Sequence, residues 1–133
     1  MKSLKTYISS GLTLGSRIPV CDNSGAQLVK ITSVLRKKTR TGKRAGAGIA
    51  DIVTVSVVKG NLEMRKKVVF AVIVRQRMCY RRSNGMRVKF EDNAAVVLKD
   101  EKGSPKGTLF KGPIAKEAAE RWPDIAKVAK IIV

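Results

Sequence analysis

The sequence predicts a mainly β fold: about six short strands closing, or nearly closing, into a small barrel, followed by two short helices. Three observations carry this. Short β-branched runs bounded by glycine or charge recur up to about residue 98. An Asn-Gly pair joins two extended segments at Asn84-Gly85. From Pro113 the composition switches to helix formers, interrupted by Pro123.

Taken in order, Arg17-Ile18-Pro19-Val20-Cys21 reads as an edge strand leading into a turn. Asp22-Asn23-Ser24-Gly25 supplies the turn, because Asp and Asn bond the nearby backbone and Gly accepts positive φ. Gln27 to Leu35 is a less regular strand, while Ile52 to Val58 and Val68 to Val74 are strongly β-branched. Within Arg81-Arg82-Ser83-Asn84-Gly85-Met86-Arg87, the Asn-Gly pair predicts a hairpin with a type I′ turn. After it Met86, Val88 and Phe90 alternate with Arg87 and Lys89, so one face is apolar and the other cationic. Ala94 to Leu98 is a further strand. Ala115 to Arg121 reads as a helix that Pro123 must end, since proline has no donor N–H and disfavours helix at Trp122. The same proline can open a second helix with Asp124 in its first turn and Ile125 and Val128 on one face. Ile131 joins that face if the helix continues.

At 133 residues the chain has room for one core, hence one domain. It carries 28 Lys and Arg against 10 Asp and Glu, a net charge of +18, with 44% hydrophobic residues. That hydrophobic fraction separates it from disordered basic tails. Residues 1–90 contain 20 basic and 3 acidic side chains, and residues 91–133 contain 8 and 7. The densest run is Arg36, Lys37, Lys38, Arg40, Lys43 and Arg44, followed by the small residues Ala45 to Gly48. A second group is Arg65-Lys66-Lys67, and a third spreads over Arg75, Arg77, Arg81, Arg82, Arg87 and Lys89. Like charges this close repel one another, and a polyanion relieves that cost while releasing its own counterions. Acidic lipid would need a basic amphipathic helix. These runs fall in loops and strands, so nucleic acid is the expected partner.

Enzymatic readings find little support. With no histidine, Ser-His and Cys-His nucleophile pairs and imidazole ligation are impossible. Cys21 and Cys79 are too few to close a structural zinc site and read as small buried or half-buried thiols of a reducing compartment. Gly46-Ala47-Gly48-Ile49-Ala50-Asp51 begins like a dinucleotide fingerprint, but Asp51 replaces the last glycine and a strand follows instead of a helix. Asp22 and Asp51 stand alone among cations and read as turn or salt-bridge partners rather than magnesium ligands. Glu91 and Asp92 are adjacent, so on a strand they point to opposite faces and cannot act as a pair. No catalytic, cofactor or metal site is expected. No apolar run approaches the ~20 residues of a bilayer span, and the stretch from Met1 to Tyr7 lacks the apolar core of a signal peptide. The expectation is a cytoplasmic protein that spans no membrane.

Of the six aromatic residues, Phe70 and Phe90 occupy apolar strand positions and read as core. Tyr80, beside Arg81 and Arg82, is the one placed for stacking on a base. Few platforms and many cations favour recognition of backbone shape, as in structured RNA.

These motifs resemble a known family. Asp22-Asn23-Ser24-Gly25-Ala26, the Gly48 to Asp51 turn, Ala71-Val72-Ile73-Val74-Arg75, the Arg81 to Gly85 hairpin, Phe90-Glu91-Asp92-Asn93-Ala94-Ala95 and Gly112-Pro113-Ile114 occur in that order. Together they are similar to the large-subunit ribosomal protein fourteen family, from about residue 16 to the end. Met64-Arg65-Lys66-Lys67, Arg75-Gln76-Arg77 and Ala118-Ala119-Glu120-Arg121-Trp122-Pro123 resemble its archaeal and eukaryotic cytosolic branch. The resemblance implies a five-stranded β-barrel with a projecting β-ribbon and small C-terminal helices in the 115–133 part. It also implies direct binding to large-subunit rRNA and a bridge to small-subunit rRNA. Neighbouring large-subunit proteins and the anti-association initiation factor six are the further partners it implies. Where the family usually has Gly, this chain has Ala50, which is strained if that turn needs positive φ. The N-terminal extension, residues 1–16, varies across the family and has no assigned contact.

The sequence therefore points to a structural, rRNA-binding component of the large ribosomal subunit. Its expected RNA contacts are the 36–44 loop, Arg65-Lys66-Lys67, and Arg75, Arg77, Arg81, Arg82 and Arg87. The nearly neutral stretch after residue 90 is the expected surface for protein neighbours. Two other classes compete. A free-standing barrel binding single-stranded nucleic acid would display aromatics along a groove, Phe70 and Phe90 among them. An enzyme acting on nucleic acid would need an acid–base constellation that the sequence does not offer.

Overall fold

Strands β2 (Arg17–Pro19), β3 (Ala26–Val34), β5 (Ile52–Gly60), β6 (Val68–Arg75) and β9 (Ala94–Leu98) form one antiparallel sheet in the order β2-β3-β5-β6-β9 in the computed structural model, which describes residues 1–133. Two short pairs stand beside it: β1 (Leu12–Thr13) with β4 (Gly46–Ala47), and β7 (Tyr80–Arg81) with β8 (Arg87–Val88). Helices α1 (Lys116–Arg121) and α2 (Pro123–Val128) follow.

Period-two patterning places the core. In β3 and β5, Val29 pairs with Val57 and Ile31 with Val55, all buried, while Lys30 is exposed on the other face. Register slips between Ile31 and Ser33 in β3 and between Ile73 and Arg75 in β6 mark bulges, which bend and twist strands. The curled sheet brings its two edge strands together at a single parallel bridge, Val20 to Ala95, with Cys21 N donating to Ala95 O at 3.1 Å. The seam has one bridge and no ladder, so the barrel is nearly rather than fully closed.

From Ala71 onward β6 is buried on both faces, as is all of β9. Part of the second layer is α1, where Ala115 N donates to Val74 O at 3.1 Å and Trp122 Nε1 donates to Ala50 O at 2.9 Å. Pro123 occupies the first turn of α2 and separates the two helices, as the sequence implies. Helix α2 stops at Val128, earlier than a helical Ile131 requires. Ile131–Val133 instead runs extended beside Ile114, with Ile114 N donating to Ile131 O and Val133 N to Ile114 O, both at 2.9 Å. No helix is long and apolar enough to cross a membrane.

Asp22 makes the expected turn: Oδ1 accepts from Ser24 N at 3.0 Å, and Gly25 has φ +95°. Its other oxygen accepts from Val97 N at 2.7 Å, so the carboxylate also fastens β9 to the turn. Burial raises the Asp22 pKa against the opposing hydrogen bonds from Ser24 and Val97. Cys21 is buried, Cys79 half-buried and both are free. Ala50 has φ +69°, so the strain its side chain implies is present.

Two local expectations are corrected. The hairpin turn is not type I′, because Asn84 is absent from the positive-φ residues while Gly85 has φ +88°. Gly85 N donates to Arg82 O at 3.0 Å and Arg82 N to Met86 O at 2.8 Å, so three residues form the loop, with glycine in the left-handed bulge position. Asn84 contributes through its side chain, which accepts from Met86 N at 3.0 Å. The apolar face after the turn is only partly covered: Phe90 is buried, Val88 half-buried, and Met86 is 55% exposed at the tip.

Candidate nucleic-acid interface

The 36–44 loop joins β3 to β4, and every residue in it is exposed. Arg36 and Gly42 adopt left-handed φ values of +62° and +67° within it. Lys37 differs from its neighbours in forming an ion pair with Asp51. The buried Asp51 carboxylate also accepts from Gly48 N at 2.8 Å and faces Arg121 at 3.5 Å. Arg36, Lys38, Arg40, Lys43 and Arg44 have no carboxylate within ion-pair distance. Repulsion among them has no internal remedy, whereas phosphates would supply one.

The second basic group closes the connection from β5 to β6. Met64 N and Arg65 N both donate to Asn61 O, at 2.9 and 3.0 Å, and Lys66 has φ +61°. Buried Met64 anchors this turn and leaves Arg65, Lys66 and Lys67 exposed and without ion pairs. Val53, near the start of β5, pairs with Val34 just before the 36–44 loop, and this second turn follows the other end of β5. The two groups therefore lie at opposite ends of a nine-residue strand, roughly 25 Å apart.

The third group divides. Arg77, Arg81 and Arg87 are exposed, as is Lys89. Arg75 is 7% exposed: Nε and Nη2 engage Asp92 at 3.0 and 3.1 Å, and Nη1 donates to Lys111 O and Pro113 O at 3.1 and 2.8 Å. Arg82 donates from Nε to Glu117 Oε1 at 2.8 Å and from Nη2 to Val133 O at 2.6 Å. Both guanidinium groups hold the protein together and are not presented outward. Tyr80, the one aromatic whose sequence neighbours suit stacking, is also internal: it is 2% exposed and its hydroxyl donates to Glu117 Oε2 at 2.9 Å. Burial, with Glu117 reinforcing it and Arg82 opposing, pushes the Tyr80 phenol up to about 12.

The ribbon leaves the sheet after β6, whose Val72 pairs with Ile52, so it shares the 36–44 end. The N-terminal segment joins the two groups. Lys5 and Thr6 line one cleft with Arg82 and Asn84, and Tyr7 and Ser10 line another with Arg36 and Lys38. This extension, which the sequence left without contacts, is strapped across the barrel: Lys2 N donates to Arg121 O at 2.8 Å and Gln76 Nε2 to Ser9 O at 3.0 Å. Phe90, Phe110 and Trp122 are buried and Phe70 is half-buried, so the groove of aromatics required by the single-strand alternative is missing. Tyr7 is the aromatic that faces solvent, at 85% exposure, and sequence reasoning passed over it. Its only signal was an isolated ring in the otherwise polar stretch Lys5-Thr6-Tyr7.

A charged end with unpaired cations, on a five-stranded nearly closed sheet, agrees with what comparison finds. The family model described as Ribosomal protein L14p/L23e matches residues 11–133. The chain belongs to this family. It is 51% identical over 133 residues to "Large ribosomal subunit protein uL14" of Nanoarchaeum equitans, covering all of both chains. The protein of that name from Halobacterium salinarum is also 51% identical over the whole of both chains. The one from Methanococcus vannielii is 48% identical over 132 residues, or 99% of each. Membership extends across β1 and the two short helices alike, and the relatives' similarity reaches back through the N-terminal strap.

Proposed function

We propose that this chain is a structural component of the cytoplasmic large ribosomal subunit that binds its rRNA directly, with no enzymatic part. The RNA contacts are Arg36, Lys38, Arg40, Lys43 and Arg44 with Arg77, Arg81 and Arg87 at one end of the sheet, and Arg65, Lys66 and Lys67 at the other. The supporting observation is the absence of ion-pair partners for these cations, while the remaining arginines of the basic runs are matched inside the fold. Two cationic ends roughly 25 Å apart suit a large folded RNA better than one strand lying in a groove. Ile131, Ile132 and Leu109, each at least 39% exposed, lie in the nearly neutral part of the chain and suit protein neighbours. Family membership supports the finer assignments: a contribution to the bridge with small-subunit rRNA, and docking of the anti-association initiation factor six.

Co-sedimentation tests the reading. Tagged wild-type chain should remain with large subunits after a high-salt wash. The variant with Arg36, Lys38, Arg40, Lys43 and Arg44 replaced by Ser should be depleted from them. Release of the wild-type chain into the free-protein fraction, or full retention of the variant, would count against it.

A further inference from the structure

Tyr7 exposes 85% of its surface, yet it does not sit on a loose end. The next residue, Ile8, is 5% exposed and belongs to the core, Ser9 O is held by Gln76, and Lys2 N is held by Arg121 O. Anchored on both sides, the phenol ring is offered to solvent from a fixed backbone, so a ligand stacking on it would order little that is not already ordered.

The ring forms part of a cleft of about 380 Å³ whose other walls include Ser10, Arg36, Lys38, Thr39 and Gly46. The cleft is open to solvent, with Tyr7 and residues 36–39 all exposed, so a planar group can reach the ring directly. No carboxylate lines this cleft. The adjoining smaller cleft contains Asp51, but that group is already engaged by Lys37, Gly48 N and Arg121. Arg36 and Lys38 are therefore unopposed beside an exposed aromatic face. A π-faced, planar group that carries negative charge next to it matches both features, and a nucleotide has this chemistry. An aromatic side chain from another protein would cover the ring and leave the two cations unmatched.

We propose that Tyr7 is a stacking platform for one unpaired base of RNA, with the adjoining phosphates held by Arg36 and Lys38. This rests on the RNA-binding reading above and adds a base contact to what is otherwise a phosphate-reading surface. Stacking tolerates any base, so the contact selects an unstacked nucleotide and not a sequence.

The test is filter binding of the full chain to a transcript of the large-subunit rRNA across a range of salt, for wild type, Y7F and Y7A. Y7A should bind roughly five- to 150-fold more weakly at each salt concentration, the loss expected for one base stack. Its salt slope should match wild type, because no phosphate contact is lost. Y7F should bind as wild type does, and the melting temperatures of all three should agree. If wild type binds and Y7A binds equally well, the stack is overturned while RNA binding stands. If Y7F loses as much as Y7A, the hydroxyl and not the ring is the contact, which also overturns it. Unchanged rRNA binding by Y7A with loss of a neighbouring protein from reconstituted particles assigns the ring to a protein and overturns it too. If wild type fails to bind the transcript, the RNA-binding reading falls and carries this one with it.

Discussion

Replacing Arg36, Lys38, Arg40, Lys43 and Arg44 together by serine separates charge from fold. All five side chains are exposed and none has a carboxylate partner, so the substitution removes no ion pair and empties no core position. Lys37 stays because it neutralises buried Asp51. Thermal stability should hold or rise, as five mutually repelling charges are gone. Binding should change in a calculable way. Each phosphate neutralised steepens the dependence of log affinity on log salt by about 0.7 to 0.9, so five contacts contribute about 4 to the slope. Between roughly 50 and 200 mM salt, a fourfold interval, wild type should then lose about 250-fold more affinity for large-subunit rRNA than the variant does. Filter binding at several salt concentrations measures both slopes. Parallel lines would refute the reasoning, since they would mean that the loop meets no phosphate. Serine at Arg65, Lys66 and Lys67 provides a control at the far end, with an expected slope change of about 2.

Three further outcomes concern the fold that presents these charges. Arg82→Ala leaves Glu117, 8% exposed at its side chain, without its cation, and should lower unfolding free energy in urea by about 3 kcal/mol. The double variant Arg82→Leu with Glu117→Leu should recover much of that loss, and a neutral single variant would show the pair to be unimportant. Gly103→Ala should cost about 2 kcal/mol or more, because φ is +103° and the added carbon would collide with the buried Trp122 ring; an unchanged melting temperature would contradict this. At alkaline pH, burial holds the Cys21 proton up to about 11 against an ordinary 9.0, and the Tyr80 proton up to about 12 against 10.0. Unfolding then releases protons, so this stability is intact below about pH 9 and is lost as pH rises through 11 and 12. Cys21→Ala should flatten the first part of that decline in pH-dependent melting, and Tyr80→Phe the second.

What the sequence disclosed follows from how local each signal is. The strands announce themselves because Val53, Val55 and Val57 alternate with half-buried partners along one segment. Pro123 divides the helices by chemistry that needs no tertiary knowledge. The 36–44 loop was legible as charge because a run of cations has nowhere to hide all its heads. The orientation of single arginines was not legible. Arg75 lies just past the bulge at Ile73, where alternation along β6 stops predicting the face. Arg82 and Tyr80 turn inward because Glu117 waits there, 35 residues away from Arg82, and no spacing rule joins them. The two-residue strands Leu12–Thr13 and Gly46–Ala47 are too short for any period.

Those long-range pairs change what the charge distribution along the chain means. Residues 1–90 hold three carboxylates: Asp22 is committed to backbone donors, Asp51 to Lys37 and Arg121, and Glu63 to no ion pair. The arginines of that half which need burial must borrow acids from the second half, and they do, Arg75 from Asp92 and Arg82 from Glu117. The basic and neutral halves of the sequence are thus interleaved in space near the ribbon, and the second half serves there as the counter-charge that lets two arginines pack. Buried guanidinium groups without such acids would be costly enough to expel the ribbon from the core. Apart from Lys37, cations at the loop and turn ends form no ion pair with any carboxylate. Their charge therefore remains outside, concentrated where the sheet ends, and it is there that a polyanion gains most by binding.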